Sequence, residues 1–305
     1  MKNIRGSLIL LTTAIIWGTS FVSQKLGMNY IEPFTFGASR FLLGALSLLP
    51  VIFLFNKINR GRDNNKSSNL SFKNRDLITG GILCGCAIFF AASFQQFGIV
   101  YTTAGKAGFI TALYMVVVPI LAMFIGRKTE LYTWIGVVIA VIGLYLLSIK
   151  EGFTMEKGDA IVLMGTVFWA LHILIIDRYV DRVDGVKLSC IQFVTAGILS
   201  LIAALIAEEP RLSGIIASKG PILYSGLMSV GVAYTLQIIG QKYTNPTLAA
   251  IILSLESVFS VISGAIFLNE SMSPREILGC LLVFVAVIIA QVNPKEILES
   301  IKAKG

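Results

Sequence analysis

The sequence predicts an all-α integral membrane protein whose ten transmembrane helices form a 5+5 inverted repeat. Three observations carry that expectation. The composition is too apolar for a water-soluble fold, ten apolar runs are long enough to cross a bilayer, and the second half of the chain repeats the first.

Of 305 residues, 55% are hydrophobic and 14% are charged, with a mean hydropathy of +0.81. A soluble globular chain carries roughly 25% charged residues. Lipid is therefore the expected partner for much of the surface. Crossing a hydrocarbon core takes about 20 mostly apolar residues at about 1.5 Å each. The first such run, 7–26, follows Lys2 and Arg5 and contains Trp17, Ser20 and Gln24. It lacks a small-residue cleavage site followed by a soluble chain, so it is expected to remain as a span. The second, 34–55, contains Arg40 between Gly37 and Gly44. The third, 77–96, holds Cys84, Cys86, Gln95 and Gln96, and the fourth, 104–125, holds Lys106 and Tyr114. The fifth, 131–149, is nearly free of polar groups. The sixth to tenth are 159–176 with Trp169 and His172, 187–207 with Cys190 and Gln192, 222–240 with Tyr234 and Gln237, 247–268 with Glu256, and 274–292 with Cys280. In hydrocarbon each backbone polar group must bond within its own helix or a closed barrel, and these runs lack the alternation of barrel strands. Helices are the remaining solution.

The net charge of +8 raises the question of nucleic acid, but the placement of the charges reads as a membrane orientation signal. With the N-terminus inside, 17 Lys and Arg residues fall on inside segments and 5 on outside segments. Both termini and the basic loop between the second and third runs are then cytoplasmic, in a cell inner membrane, and no nucleic-acid partner is expected. The four cysteines all fall within spans and read as packing residues.

The stretch "RGSLILLTTAIIWGTSF" lies against "KGDAIVLMGTVFWALHI" at a shift of 152, so that Gly6 meets Gly158, Trp17 meets Trp169 and Arg40 meets Gln192. The end of each half matches at a shift of 143, bringing Gly136 onto Gly279. Two units follow, 1–150 and 151–305, each with five spans. An odd span number makes the second copy enter the membrane from the opposite side. Inverted repeats of this kind pack in two nearly equivalent ways, one open to each face, with a site near the midplane between them.

"IIWGTSFVSQK" in the first span, "KAGFITALYMVVVP" in the fourth and "NPTLAAIILSLESVFSVISGAIFLNESMS" in the ninth resemble the EamA family of the drug/metabolite transporter superfamily. The resemblance covers nearly the whole chain. It implies a five-plus-five helical bundle around a central cavity, and export of amino acids or related small metabolites. In this family the ninth-span motif often reads Glu-Pro; here it is Glu256-Ser257, which removes the proline that would kink the helix.

Ionisable groups inside a span are costly, so each is a candidate for function. Arg40 shares its face with Gly37 and Gly44, which allow close helix contact and turn it toward the bundle. It reads either as a structural donor or as a contact to substrate. Glu256 lies midway along the ninth span with Ser260 and Ser263 on its stripe. It reads as a partner for Arg40 or another donor, as a substrate-ammonium or proton-coupling site, or as a packing hydrogen bond. Trp17 and Gln24, with Trp169 and His172 in the matching span, are candidate cavity residues. So are Gln95, Gln96, Tyr114, Gln192, Tyr234 and Gln237, for which interhelical hydrogen bonding is the competing role. Lys25 and Lys106 read most simply as snorkelling anchors at the outer edge.

No phosphate loop, zinc spacing or nucleophile–base–acid set is present, so no catalytic residue, cofactor or metal is expected. The driving force is then a gradient, with a proton or a second substrate as the counter-species. The expectation is a secondary transporter of small metabolites. A nucleotide-sugar or sugar-phosphate exchanger of the same superfamily is the nearest alternative, and a polytopic membrane enzyme is the alternative of a different class.

Overall fold

The computed structural model describes residues 2–62, 75–148, 156–268 and 273–291. Among them every regular element is helical. The first half comprises α1 (Lys2–Gly27), α2 (Pro33–Arg62), α3 (Arg75–Tyr101), α4 (Ala104–Ala112), α5 (Tyr114–Phe124) and α6 (Leu131–Ser148). The second comprises α7 (Lys157–Tyr179), α8 (Gly185–Ala207), α9 (Leu212–Ala217), α10 (Lys219–Leu223), a π-helical segment (Tyr224–Tyr234), α11 (Thr235–Gln241), α12 (Pro246–Leu253), α13 (Glu256–Leu268) and α14 (Pro274–Gln291).

Eight helical stretches among the described residues are long and apolar enough to cross a membrane: Ile4–Gly27, Pro33–Leu54, Arg75–Tyr101, Ala104–Phe124, Lys157–Tyr179, Gly185–Ala207, Lys219–Gln241 and Pro246–Ser263. Leu131–Leu146 is a shorter apolar helix. The runs 131–149 and 274–292 both extend past the described residues. The basic loop, the residues before Lys2 and those after Gln291 lie outside them too. Large apolar side chains cover the outer surface, with Phe124 82% and Ile206 81% exposed, as expected of faces turned to lipid.

Glycine sets how closely the helices approach. Gly85 of α3 lies on α8, where a Cβ would come within 2.7 Å of the Gln192 carbonyl oxygen. Helix α2 also packs along α8, and α6 along α14. Helix α1 packs on the π segment, α11 and α13, while α7 packs on α3, α4 and α5. The Glu208 carboxylate closes the other end of the α2–α8 pair. It accepts the Phe34 and Thr35 amides at 2.7 Å each, satisfying donors that a helix N-terminus leaves unbonded.

Three expectations need correction. The fourth and ninth spans are not continuous. The fourth breaks at Leu113 between α4 and α5, and the ninth breaks at Ser254-Leu255 between α12 and α13 without any proline. Ser254 supplies the reason in the ninth: its hydroxyl takes the Ile251 carbonyl at 2.7 Å, and the Leu255 and Ser257 amides tighten onto carbonyls three residues back. In the fourth, the Ile110 carbonyl accepts the Thr166 hydroxyl of α7 at 3.1 Å. A broken helix persists inside a membrane when neighbouring groups bond the freed carbonyls in this way.

Lys25 is not a snorkelling anchor. Its ammonium donates to the Ile99 and Thr102 carbonyls at 2.6 and 3.1 Å, capping the end of α3, where carbonyls lack helical partners. Nor is Lys106: it forms an ion pair with Asp159 of α7 at 2.9 Å. Asp159 is buried at 1% exposure and also accepts the Thr102 hydroxyl at 2.6 Å and the Glu156 amide at 3.0 Å. Those donors balance the cost of burying its charge.

Candidate functional site

The helices enclose a cavity of about 30 Å³, counted as space open to the centres of water-sized spheres. A single water needs roughly 10–15 Å³ on that measure, so the cavity as it stands is narrow. Its walls come from α1, α2, α3, α4, α5, α7, the π segment, α11, α12 and α13. The breaks at Leu113 and Ser254-Leu255 both fall at its edge, since Thr111, Tyr114, Leu253 and Glu256 line it.

Nine of the expected candidates line this cavity: Trp17, Gln24, Arg40, Gln95, Tyr114, Trp169, Tyr234, Gln237 and Glu256. Three do not. Gln96 is buried beside it and donates to the Gln24 carbonyl at 3.4 Å. His172 and Gln192 are fully buried and pair with each other, His172 Nε2 to Gln192 Oε1, at 3.1 Å.

A polar chain fixes one wall. Trp169 Nε1 donates to Gln95 Oε1 at 3.0 Å, Gln95 Nε2 donates to Gln24 Oε1 at 3.1 Å, and Gln24 Nε2 reaches Ser20 Oγ at 3.4 Å. The other indole, Trp17 Nε1, donates to the Ser229 carbonyl of the π segment at 3.3 Å. Both tryptophans flank Tyr234, with ring centroids 4.6 Å away for Trp17 and 6.0 Å for Trp169. Such a cluster presents aromatic faces to whatever occupies the cavity, a surface that attracts cations as well as apolar groups.

The opposite charges stand apart. Arg40 is 3% exposed, its Nε has no hydrogen-bond partner, and it forms no ion pair among the described residues. Its nearest stabilising neighbours are rings: Cζ lies 4.8 Å from the centroid of Phe41 and 5.5 Å from that of Phe36. Glu256 is 4% exposed, and its carboxylate faces the Tyr114 hydroxyl. The pairing of Arg40 with Glu256, one of the alternatives open in the sequence, is absent among the described residues. Gln237 Oε1 is likewise buried without a hydrogen-bond partner. Buried polar groups are normally bonded, so Arg40 Nε and Gln237 Oε1 stand out among the groups that line the cavity.

Sequence reasoning missed Phe21, Thr111, Ile173, Ser229 and Leu253 in the lining. Two were within reach: Phe21 and Ile173 stand four residues beyond Trp17 and Trp169, one helical turn along the same face. Ser229 carries no such signal, because its carbonyl faces Trp17 only through the π geometry.

Comparison with known proteins follows the same lines. The model of the EamA-like transporter family matches residues 4–149 and again 156–291. A protein of Archaeoglobus fulgidus named as an uncharacterized transporter is 31% identical over 297 residues, covering 96% of this chain and 88% of its own. The uncharacterized inner membrane transporter YedA of Escherichia coli K12 is 24% identical over 90% of this chain and 87% of its own. One solved crystal structure superposes over 95% of this chain and 97% of its own with a TM-score of 0.76 at 16% identity, a likeness of fold alone.

Proposed function

Because the chain belongs to the EamA-like transporter family, we propose that it is a ten-span secondary transporter that moves small zwitterionic metabolites, amino acids or their relatives, by alternating access in the export direction. The observation that carries this reading is a pair of buried, opposite charges that line one cavity and form no ion pair with each other, Arg40 and Glu256. A zwitterion satisfies both at once. Its carboxylate completes the hydrogen bonding of Arg40, and its ammonium lies between Glu256 and the aromatic faces of Trp17, Trp169 and Tyr234. Tyr114 and Gln237 supply further hydrogen bonds.

Other features support the transport cycle. The family match falls twice, on the two halves. The discontinuous fourth and ninth spans meet at the cavity, the arrangement by which transporters place a site near the midplane. With five spans per half, both termini are cytoplasmic in the inner membrane, in line with the 17-to-5 excess of basic residues on that side. A nucleotide sugar or sugar phosphate calls for several cations, and among the described residues Arg40 is the one cation lining the cavity. The gradient of a proton or of a second substrate drives the cycle.

Counterflow in proteoliposomes tests the proposal. Vesicles preloaded with one unlabelled amino acid at a time should accumulate the same labelled compound. Amines lacking a carboxylate and acids lacking an amine should exchange poorly. Robust counterflow of sugars or sugar phosphates with none of amino acids would refute the substrate class.

A further inference from the structure

We propose that one contact, built twice, closes the two ends of the cavity, and that the Asp159–Lys106 ion pair bolts one of these seams while the other stays unbolted. The inference rests on the alternating-access reading above and adds the identity of the two gates.

At the start of α1, Gly6 packs so closely on the end of α11 that a Cβ would come within 3.0 Å of both the Gly240 carbonyl oxygen and Tyr243 Cβ. Arg5 Cζ stands 5.1 Å from the Tyr243 ring centroid. At the start of α7 the same arrangement recurs on the end of α3. A Cβ on Gly158 would come within 2.7 Å of the Gly98 carbonyl oxygen and 3.0 Å of the Thr102 amide. Lys157 Nζ stands 5.2 Å from the Tyr101 ring centroid. Arg5 and Gly6 map onto Lys157 and Gly158 at a shift of 152, and Tyr101 and Thr102 onto Tyr243 and Thr244 at a shift of 142. Each member of one seam thus has its counterpart in the other.

The seams bracket the cavity. Trp17 and Trp169 each stand eleven residues beyond their seam glycine, about 16 Å along the helix. They close opposite ends: α1 begins at the first seam, and Lys25 near its far end donates to the Thr102 carbonyl within the second. At each crossing an aliphatic side chain rests on the facing glycine, Leu10 on Gly240 and Val162 on Gly98, so little has to repack when a seam parts and closes again.

The difference between the seams is charge. The counterpart of Asp159 at a shift of 152 is Ser7, and that of Lys106 at a shift of 142 is Leu248. Opening the Gly158 seam therefore separates Asp159 from Lys106 and Thr102, whereas among the described residues opening the Gly6 seam breaks no equivalent ion pair. The break at Leu113 lets α4, which carries Lys106, move without α5. The end of α5 is tied separately to α7 by the Arg127–Asp177 ion pair. The resting protein is accordingly held closed at the Asp159 face and opens more readily at the Gly6 face.

A cysteine reporter tests this. Thr111→Cys places a thiol on the cavity wall, in a background with Cys84, Cys86, Cys190 and Cys280 replaced by alanine. A membrane-impermeant maleimide is applied to sealed vesicles of each orientation. Asp159→Asn should raise the labelling rate from the Asp159 face by about tenfold and lower it from the Gly6 face, the sign of a shifted two-state population. Lys106→Gln, which keeps the Thr102 and Glu156 bonds to Asp159, should move both rates in the same directions by less, and it serves if Asp159→Asn folds poorly. Tyr243→Leu loosens the other seam and should do the reverse. Unchanged rates in both Asp159→Asn and Lys106→Gln, equal rises from both faces, or a rise in labelling from the Asp159 face in Tyr243→Leu would each overturn the proposal. Labelling needs no substrate, so failed counterflow refutes the transport reading while unshifted labelling refutes the bolt.

Discussion

Arg40 makes the residue scale concrete. A guanidinium that meets only ring faces within a bundle is held by cation–π attraction and awaits an anion. Replacing it by glutamine, the residue its repeat counterpart Gln192 already is, removes an uncompensated buried charge. Arg40→Gln should therefore leave thermal stability equal or slightly higher, while affinity for carboxylate-bearing substrates falls by about tenfold or more, the loss of one charge-assisted hydrogen bond of roughly 1.5–3 kcal/mol. Adding Glu256→Gln should add its own stability effect without rescue, because no ion pair joins the two; a double-mutant cycle by thermal unfolding and binding reads this directly. A recovery of stability in the double variant would mean the two charges do pair. That Arg40 faces the interior was legible from Gly37 and Gly44 on its face. Its lack of a partner was not, because spacing along a helix says nothing about which wall of a cavity a facing helix occupies. The Asp159 cluster was missed for a related reason. Two of its partners, Thr102 and Lys106, come from another part of the chain, so no local pattern marks it.

At the scale of elements, the apolar runs gave the helices because hydrocarbon leaves the backbone no other choice. Their interruptions stayed hidden. The two pieces of the fourth span, and of the ninth, are both largely apolar, and Ser254 looks like any other small residue in a membrane helix until its hydroxyl donates to the Ile251 carbonyl. The π segment, which packs on α1 and α2, was hidden too, because hydrophobic spacing does not distinguish its wider winding from an α-helix. Close approach, by contrast, can be tested position by position. Gly85→Val forces branched carbons against the Gln192 carbonyl and Thr195 and should cost about 1–3 kcal/mol of stability. Gly105 has open space where a Cβ would stand. Gly105→Ala should be neutral or stabilising by up to about 1 kcal/mol through helix propensity. Thermal melts in detergent distinguish the two, and equal losses would mean the α3–α8 crossing is looser than described.

For the whole molecule, the repeat in the sequence has a counterpart in the packing. Helix α1 meets the end of α11 as α7 meets the end of α3, and the matching pairs of cation and tyrosine recur with them. Residues such as Gly6 and Gly158 suggested a duplication, and the one-residue difference between a shift of 143 in the sequence and 142 at the seams shows why the fine register was not legible. The cavity belongs to neither half alone. Arg40 comes from the first and Glu256 from the second, so a ligand that binds both ties the halves together. The placement of the indoles gives such binding an optical signature. The chain has three tryptophans, and two of them, Trp17 and Trp169, line the cavity, while Trp134 lies on α6. Displacing water from beside those two rings, and bringing a charge against them, should change the intrinsic emission of the protein in intensity and wavelength. The change should persist in Trp134→Phe and shrink by about half in Trp169→Phe, so that a titration in a cuvette, without label or gradient, reports occupancy of the central cavity.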